Sequence, residues 1–126
     1  ISANIVVLGD MNDEPSNNSL AKTLMAQKPE IKNAGFVNLM YPDHENGSGS
    51  YNYQGNWNML DNIVVSQSLL DENGFQCIDK KGYVFRKNWM EYKNREGQAS
   101  PSRTYAGSNY YGGISDHFPV YFRLKR

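Results

Sequence analysis

Ile5-Val6-Val7-Leu8 is a short, uninterrupted apolar run that ends abruptly at Gly9-Asp10. Its length and β-branched content suit a strand buried on both faces, and a strand of that kind commits the chain to building a sheet around it. Leu60-Asp61-Asn62-Ile63-Val64-Val65-Ser66, with its apolar centre, and the apolar and aromatic segment Phe118 to Leu124 supply further strand candidates. Pro119 lacks an N–H, so it belongs at the start of its strand or on an edge.

Between these runs the pattern changes. Gly9 to Asn18 is a loop rich in Asp, Asn and Pro. Ser16 or Asn18 is placed to cap a short helix carrying Leu20, Leu24 and Met25 on one face. Phe36-Val37-Asn38-Leu39 is a further apolar patch, and Gly47-Ser48-Gly49-Ser50 reads as a flexible loop. Tyr51-Asn52-Tyr53, a Gly55-Asn56 turn and the return over Leu60 to Val65 read as a hairpin. A helical turn capped by Ser66, and weaker strands over Phe75–Ile78 and Tyr83–Phe85, follow. Residues 86–113 read as one long polar, aromatic and Gly-rich loop, a type that often carries function. Strands mixed with helical pieces place the chain in the α+β or layered α/β class.

The 126 residues are enough for one core. No apolar run approaches the roughly 20 residues of a membrane span. Cys77 is the only cysteine, which excludes an intrachain disulfide and a thiolate zinc site; in Phe75-Gln76-Cys77-Ile78 it reads as a small buried hydrophobe. The net charge is zero, with nine acids against three bases in residues 1–78 and ten bases against four acids in residues 79–126. A dedicated nucleic-acid binder is usually basic overall, and this chain is not. The basic stretch Lys80 to Arg103 reads either as a solvated loop or as a cationic surface for a phosphate-bearing substrate, the first being the commoner case, and His44 within Asp43-His44-Glu45 reads as part of a solvated loop. No initiating Met and no export signal precede the first strand, so the chain is expected to be a piece of a longer protein.

Three polar clusters sit at strand ends: Gly9-Asp10-Met11-Asn12-Asp13, Asp61, and Ser115-Asp116-His117. If their strands are neighbours, Asp10, Asn12, Asp61, Asp116 and His117 converge on one rim. Carboxylates and an amide oxygen are hard ligands suited to magnesium or manganese. Histidine beside a carboxylate serves as an acid or base, or as a hydrogen-bond donor to phosphate. Phosphoryl transfer needs such positioning and charge stabilisation more than a special nucleophile. Ser115, Asp116 and His117 are not a hydrolase triad, because neighbours on an extended segment point to opposite sides.

Gly9-Asp10-Met11-Asn12 resembles the Gly-Asp-Phe-Asn signature of the endonuclease/exonuclease/phosphatase family. Leu60-Asp61-Asn62-Ile63-Val64-Val65-Ser66 is similar to its Leu-Asp-x-Ile-x-x-Ser strand, and Ser115-Asp116-His117-Phe118-Pro119-Val120 to its Ser-Asp-His-x-Pro-Val ending. The motifs occur in family order across residues 4 to 124. The resemblance implies the C-terminal half of a four-layered α/β sandwich with mainly antiparallel sheet, and a Mg²⁺- or Mn²⁺-dependent phosphoesterase. Its substrate would be a phosphate ester: nucleic acid, phospholipid or a small ester. Asp10 would activate water and face the metal, and Asn12 would bind a phosphate oxygen near it. Asp61 would orient His117, His117 would contact the scissile phosphate near the metal, and Asp116 would face the metal.

The family's N-terminal half supplies an Asn-bearing strand, a metal-binding Glu and another His-Asp element, none of which precedes Ile1. The isolated chain is therefore expected to be nearly inactive and to associate with that missing half, or with itself as a homodimer, through an uncovered face. Substrate-side candidates are Trp57, Asn58, Arg103, Tyr105, Asn109 and Tyr110. The alternative from another class is a non-catalytic module that binds carbohydrate or another ligand through exposed Tyr, Trp and Asn; it would scatter Asp10, Asp61 and His117 rather than gather them.

Overall fold

A computed structural model describes residues 2–71 and 73–126. The fold is α+β with mainly antiparallel sheets. Its centre is a four-stranded sheet containing β1 (Val6–Asp10), β2 (Ala26–Gln27), β3 (Phe36–Asn38) and, beyond helix α1 (Tyr41–Glu45) and the hairpin β4 (Tyr51–Tyr53) and β5 (Asn56–Asn58), β6 (Asp61–Ser66). The strand order is β1-β6-β3-β2. β6 is central, and Asn62 to Ser66 are all buried. Val37, Leu39, Met40, Met59, Ile63, Val65, Leu69 and Cys77 form the main core, with Val84, Val120 and Phe122 packed against it.

β1 is an edge strand, not the doubly buried one that its composition suggests. It pairs with β6 on one side only, and Val6, Val7 and Leu8 are 37%, 42% and 60% exposed. An apolar run states what a strand prefers; a neighbour on each side must still supply the burial. The hairpin also differs. β4 turns at Gln54-Gly55 and returns over β5, while Leu60 leads on into the central sheet. β4 and β5 pair with each other, and β6 pairs with β1 and β3.

The helical pieces are shorter than their periodicity promises. Ser19–Thr23 forms a π-helical turn with Leu20 buried, and neither Asn18 there nor Ser66 before Gln67–Leu69 makes a side-chain cap. Ser19 Oγ–H donates instead to Asp13, and Ser66 Oγ–H to the carbonyl of Ala3 (2.8 Å). Met25, at φ +54°, lies outside the turn and is exposed. Residues 86–113 are not a structureless loop. Glu91–Lys93 pairs with Ala99–Pro101, and Tyr105–Ala106 with Asn109–Tyr110. The C-terminal run divides into Val120–Tyr121, paired with Tyr83–Val84, and Leu124–Lys125, paired with Gln76–Cys77. Cys77 is free and buried, and burial raises its thiol pKa.

A carboxylate-histidine cluster at the end of the central sheet

The antiparallel register of β1 and β6 sets Asp10 directly opposite Asp61. Directly opposed side chains on one sheet face lie roughly 4.5–5.5 Å apart at Cβ, and like charges so placed repel. The third motif joins them there. Donor atoms of Asp10, Asp61 and His117 lie within 4.8 Å of one another, and Asp61 Oδ2 accepts from His117 Nδ1 at 2.6 Å. Both partners are largely shielded, with side-chain exposures of 22% for His117 and 15% for Asp61. With Nδ1 committed to Asp61, Nε2 is the nitrogen left for a ligand.

Three contacts hold His117 in place. Its N–H donates to Ser115 Oγ (3.1 Å). Its ring lies against Tyr51, 4.7 Å between centroids and 30° between planes, and the two residues form a β-bridge. Phe118 is buried beneath Trp57 and donates its N–H to the Ser50 carbonyl (2.8 Å). Burying a side chain of that size is worth about 1.5–3 kcal/mol, so Phe118 acts as a local anchor for His117.

Ser50 carries no motif, and its Gly-Ser context suggested mobility. It is in fact wholly buried. Its Oγ–H donates to Asp61 Oδ2 (2.5 Å), and it accepts the Asp61 N–H (3.2 Å). A Cβ at Gly49 would meet the backbone of Asn58 at 2.4–2.6 Å, so glycine is needed there to let this segment lie against β5. The small residues that looked like a flexible tether are the means of close packing.

Asp10 leads into a loop stitched down at several points. Its Oδ1 accepts the Asn12 N–H (2.9 Å), and Asn12 is exposed in the left-handed region at φ +49°. The Met11 N–H donates to the Leu60 carbonyl (2.9 Å). The buried Asn62 amide donates to the Asp13 carbonyl (2.8 Å), while its Oδ1 accepts from the equally buried Asn38 (2.8 Å). Glu14 accepts from the Met59 N–H (3.2 Å). His44 is not in a solvated loop: it is half-buried, 3.1 Å from Ser16 Oγ and 3.6 Å from Glu14. Asn38 and Asn62 could have been suspected from one signal, polar residues lying inside apolar runs; Ser50 carried no such signal.

The other candidates separate. Asp116 is exposed and outside the three-residue cluster; adjacent residues on extended chain face opposite ways, and His117 takes the inward side. Trp57 is packed, with Phe118 stacked at 5.9 Å and the Arg86 guanidinium over its ring at 4.6 Å. Asn58 donates its side-chain amide to Glu14 (3.4 Å). Tyr105, Asn109 and Tyr110 belong to the small hairpin just before Ser115, and Arg103 leads into it.

The donor set fits a hard divalent cation. Two opposed carboxylates call for positive charge between them, and magnesium is commonly held by one or two protein carboxylates with water and phosphate completing its shell. The chain matches the model of the Endonuclease/Exonuclease/phosphatase family over residues 1–126, and it belongs to that family. No curated protein and no solved structure matches it significantly. Membership gives the chain a phosphoesterase- or nuclease-type hydrolase class, with phosphate esters as its general substrates.

Proposed function

We propose that the Asp10–Asp61–His117 cluster is the hydrolytic centre of a divalent-metal-dependent phosphoesterase that uses water as nucleophile. The observation that carries this is the gathering of three separate sequence motifs into one group of donors within 4.8 Å. A magnesium or manganese ion held by Asp10, with Asn12 and His117 beside it, would supply positive charge to the phosphoryl oxygens. Asp61 fixes the imidazole through Nδ1, so that Nε2 meets the scissile phosphate. Asp10 orients the attacking water and draws its proton as the new P–O bond forms and the ester oxygen departs. Asn12 offers its amide to a phosphate oxygen. The same gathering argues against a carbohydrate-binding module, as does the packing of Trp57 between Phe118 and Arg86.

The chain acts, on this proposal, as the C-terminal portion of a larger domain. The apolar edge Val6–Leu8 is left uncovered, and the cluster contributes few of the about six ligands that a divalent ion needs. A further layer of the same domain, or a second copy of the chain, would cover that edge. The test is hydrolysis of bis(p-nitrophenyl) phosphate with Mg²⁺ by the chain alone and within its complete domain. Slow turnover by the first and fast turnover by the second is expected. Equal turnover would overturn the incompleteness, and none in either would overturn the activity.

A further inference from the structure

A second group of reactive side chains lies outside the Asp10–Asp61–His117 cluster and has no part in the chemistry above. Ser16 Oγ is 3.1 Å from His44 Nε2, and the other ring nitrogen of His44, Nδ1, faces Glu14 Oε1 at 3.6 Å. The loop after β1 supplies the serine and the glutamate, and helix α1 supplies the histidine. A hydroxyl, an imidazole and a carboxylate in that order are the arrangement that turns a neutral serine into a nucleophile, and it is recognised by geometry rather than by sequence spacing. The carboxylate on the Nδ1 side favours the ring proton there, which leaves Nε2 to accept from Ser16 Oγ–H.

Each member of the group is held. Glu14 Oε1 accepts from the Met59 N–H (3.2 Å) and the Asn58 side-chain amide (3.4 Å). The Glu14 N–H donates to Asn17 Oδ1 (2.8 Å), and the Glu14 carbonyl accepts the Asn17 N–H (2.9 Å). These two bonds close a turn around Ser16, with Pro15 buried at its base. The His44 N–H donates to the Met40 carbonyl (3.1 Å), and its ring stands edge-on to Tyr41 at 6.1 Å and 76°. His44 and Glu14 are half-buried and Ser16 is exposed, so the base is shielded while the nucleophile meets solvent. Ser19 makes the contrast within the same loop: its hydroxyl is given to Asp13 and it has no imidazole partner among the described residues. Asp13 and Glu14 put negative charge beside Ser16, which disfavours an anionic phosphate ester and leaves a neutral carboxylic ester unopposed.

We propose that Ser16 is a second nucleophilic centre, activated by His44 and Glu14, that takes the acyl group of small carboxylic esters. Ser16 Oγ forms a bond to the carbonyl carbon as its proton passes to His44 Nε2. The ester C–O bond then breaks, and the leaving alcohol carries that proton away. Water, deprotonated by the same nitrogen, releases the acid and restores the serine. The proposal is independent of the phosphoesterase reading. It is tested with p-nitrophenyl acetate at pH 8, with p-nitrophenolate release followed by absorbance and the acetylated residues located by peptide mass spectrometry. Acetyl should appear on Ser16 and not on Ser19. His44→Gln keeps a hydrogen-bonding group beside Ser16 and should lower Ser16 acetylation by at least about a hundredfold, as loss of a general base does, with the melting temperature held. Ser16→Ala, at an exposed position, should lower p-nitrophenolate release to the level of the His44→Gln protein. Ser16 acetylated no faster than Ser19, or equally fast in His44→Gln, would overturn the proposal. So would acetyl found on His44 itself with release unchanged in Ser16→Ala, which would make the imidazole the nucleophile.

Discussion

Replacing Asn62 by leucine, close to it in size, tests how the loop after Asp10 is fastened to the core. Asn62 is fully buried. The change removes its donation to the Asp13 carbonyl and its acceptance from Asn38, each 2.8 Å long. Two net hydrogen bonds are worth about 1 kcal/mol each, and the stranded Asn38 amide adds a desolvation cost of about 1–3 kcal/mol. The expected loss is about 3–5 kcal/mol, a large share of the 5–15 kcal/mol typical of a domain. Urea unfolding followed by tryptophan fluorescence would read it as a midpoint lowered by about 2 M, for a slope of roughly 1–3 kcal/mol/M. The double replacement of Asn38 and Asn62 by leucine removes both partners and should cost at least about 1 kcal/mol less than the sum of the single changes. Strict additivity, or a loss below about 1 kcal/mol in Asn62→Leu, would refute the amide pair as the fastening.

Other consequences follow from burial, edges and charge. Cys77 should react slowly with iodoacetamide at pH 8 and quickly in urea, because burial raises its pKa and withholds the thiolate; equal rates would contradict its placement. Leu8→Lys, on the exposed edge, should reduce self-association in sedimentation with little change in melting temperature, since charge on an edge strand opposes edge-to-edge pairing. Asp79 is held below the usual carboxylate range by the Tyr83 hydroxyl and then by Arg123. Its contribution to stability is therefore present above the unfolded carboxylate pKa and lost as pH falls through the lower folded value. Asp79→Asn should flatten the acid limb of a stability–pH curve, and an unchanged limb would refute the pairing.

The motifs that assemble the cluster were legible because each marks a local event, the end of a strand in polar residues. Asp10 and Asp61 needed only the assumption that their strands are neighbours, and the register supplied their direct opposition. What the residues could not reveal is set by contacts far along the chain. β1 looks buried because Val and Leu prefer it, yet its exposure depends on a neighbour that does not adjoin it. Ser50 looks like part of a tether because serine and glycine are common there, yet it closes on Asp61, and its carbonyl on Phe118. The stretch 86–113 lacks alternation, so its two small ladders escape periodicity; they form through turns at Gly97 and Gly107, both with positive φ.

The central claim, that the cluster hydrolyses phosphate esters, is tested most directly by the turnover of bis(p-nitrophenyl) phosphate with Mg²⁺ by the complete domain carrying Asp10→Asn. The substitution keeps size and shape and removes the charge that, in the proposed mechanism, orients and deprotonates water. Turnover should fall by at least about a hundredfold, as when a general base is lost, with substrate affinity changing less and the melting temperature nearly unmoved. Turnover equal to that of the unaltered protein would contradict the account.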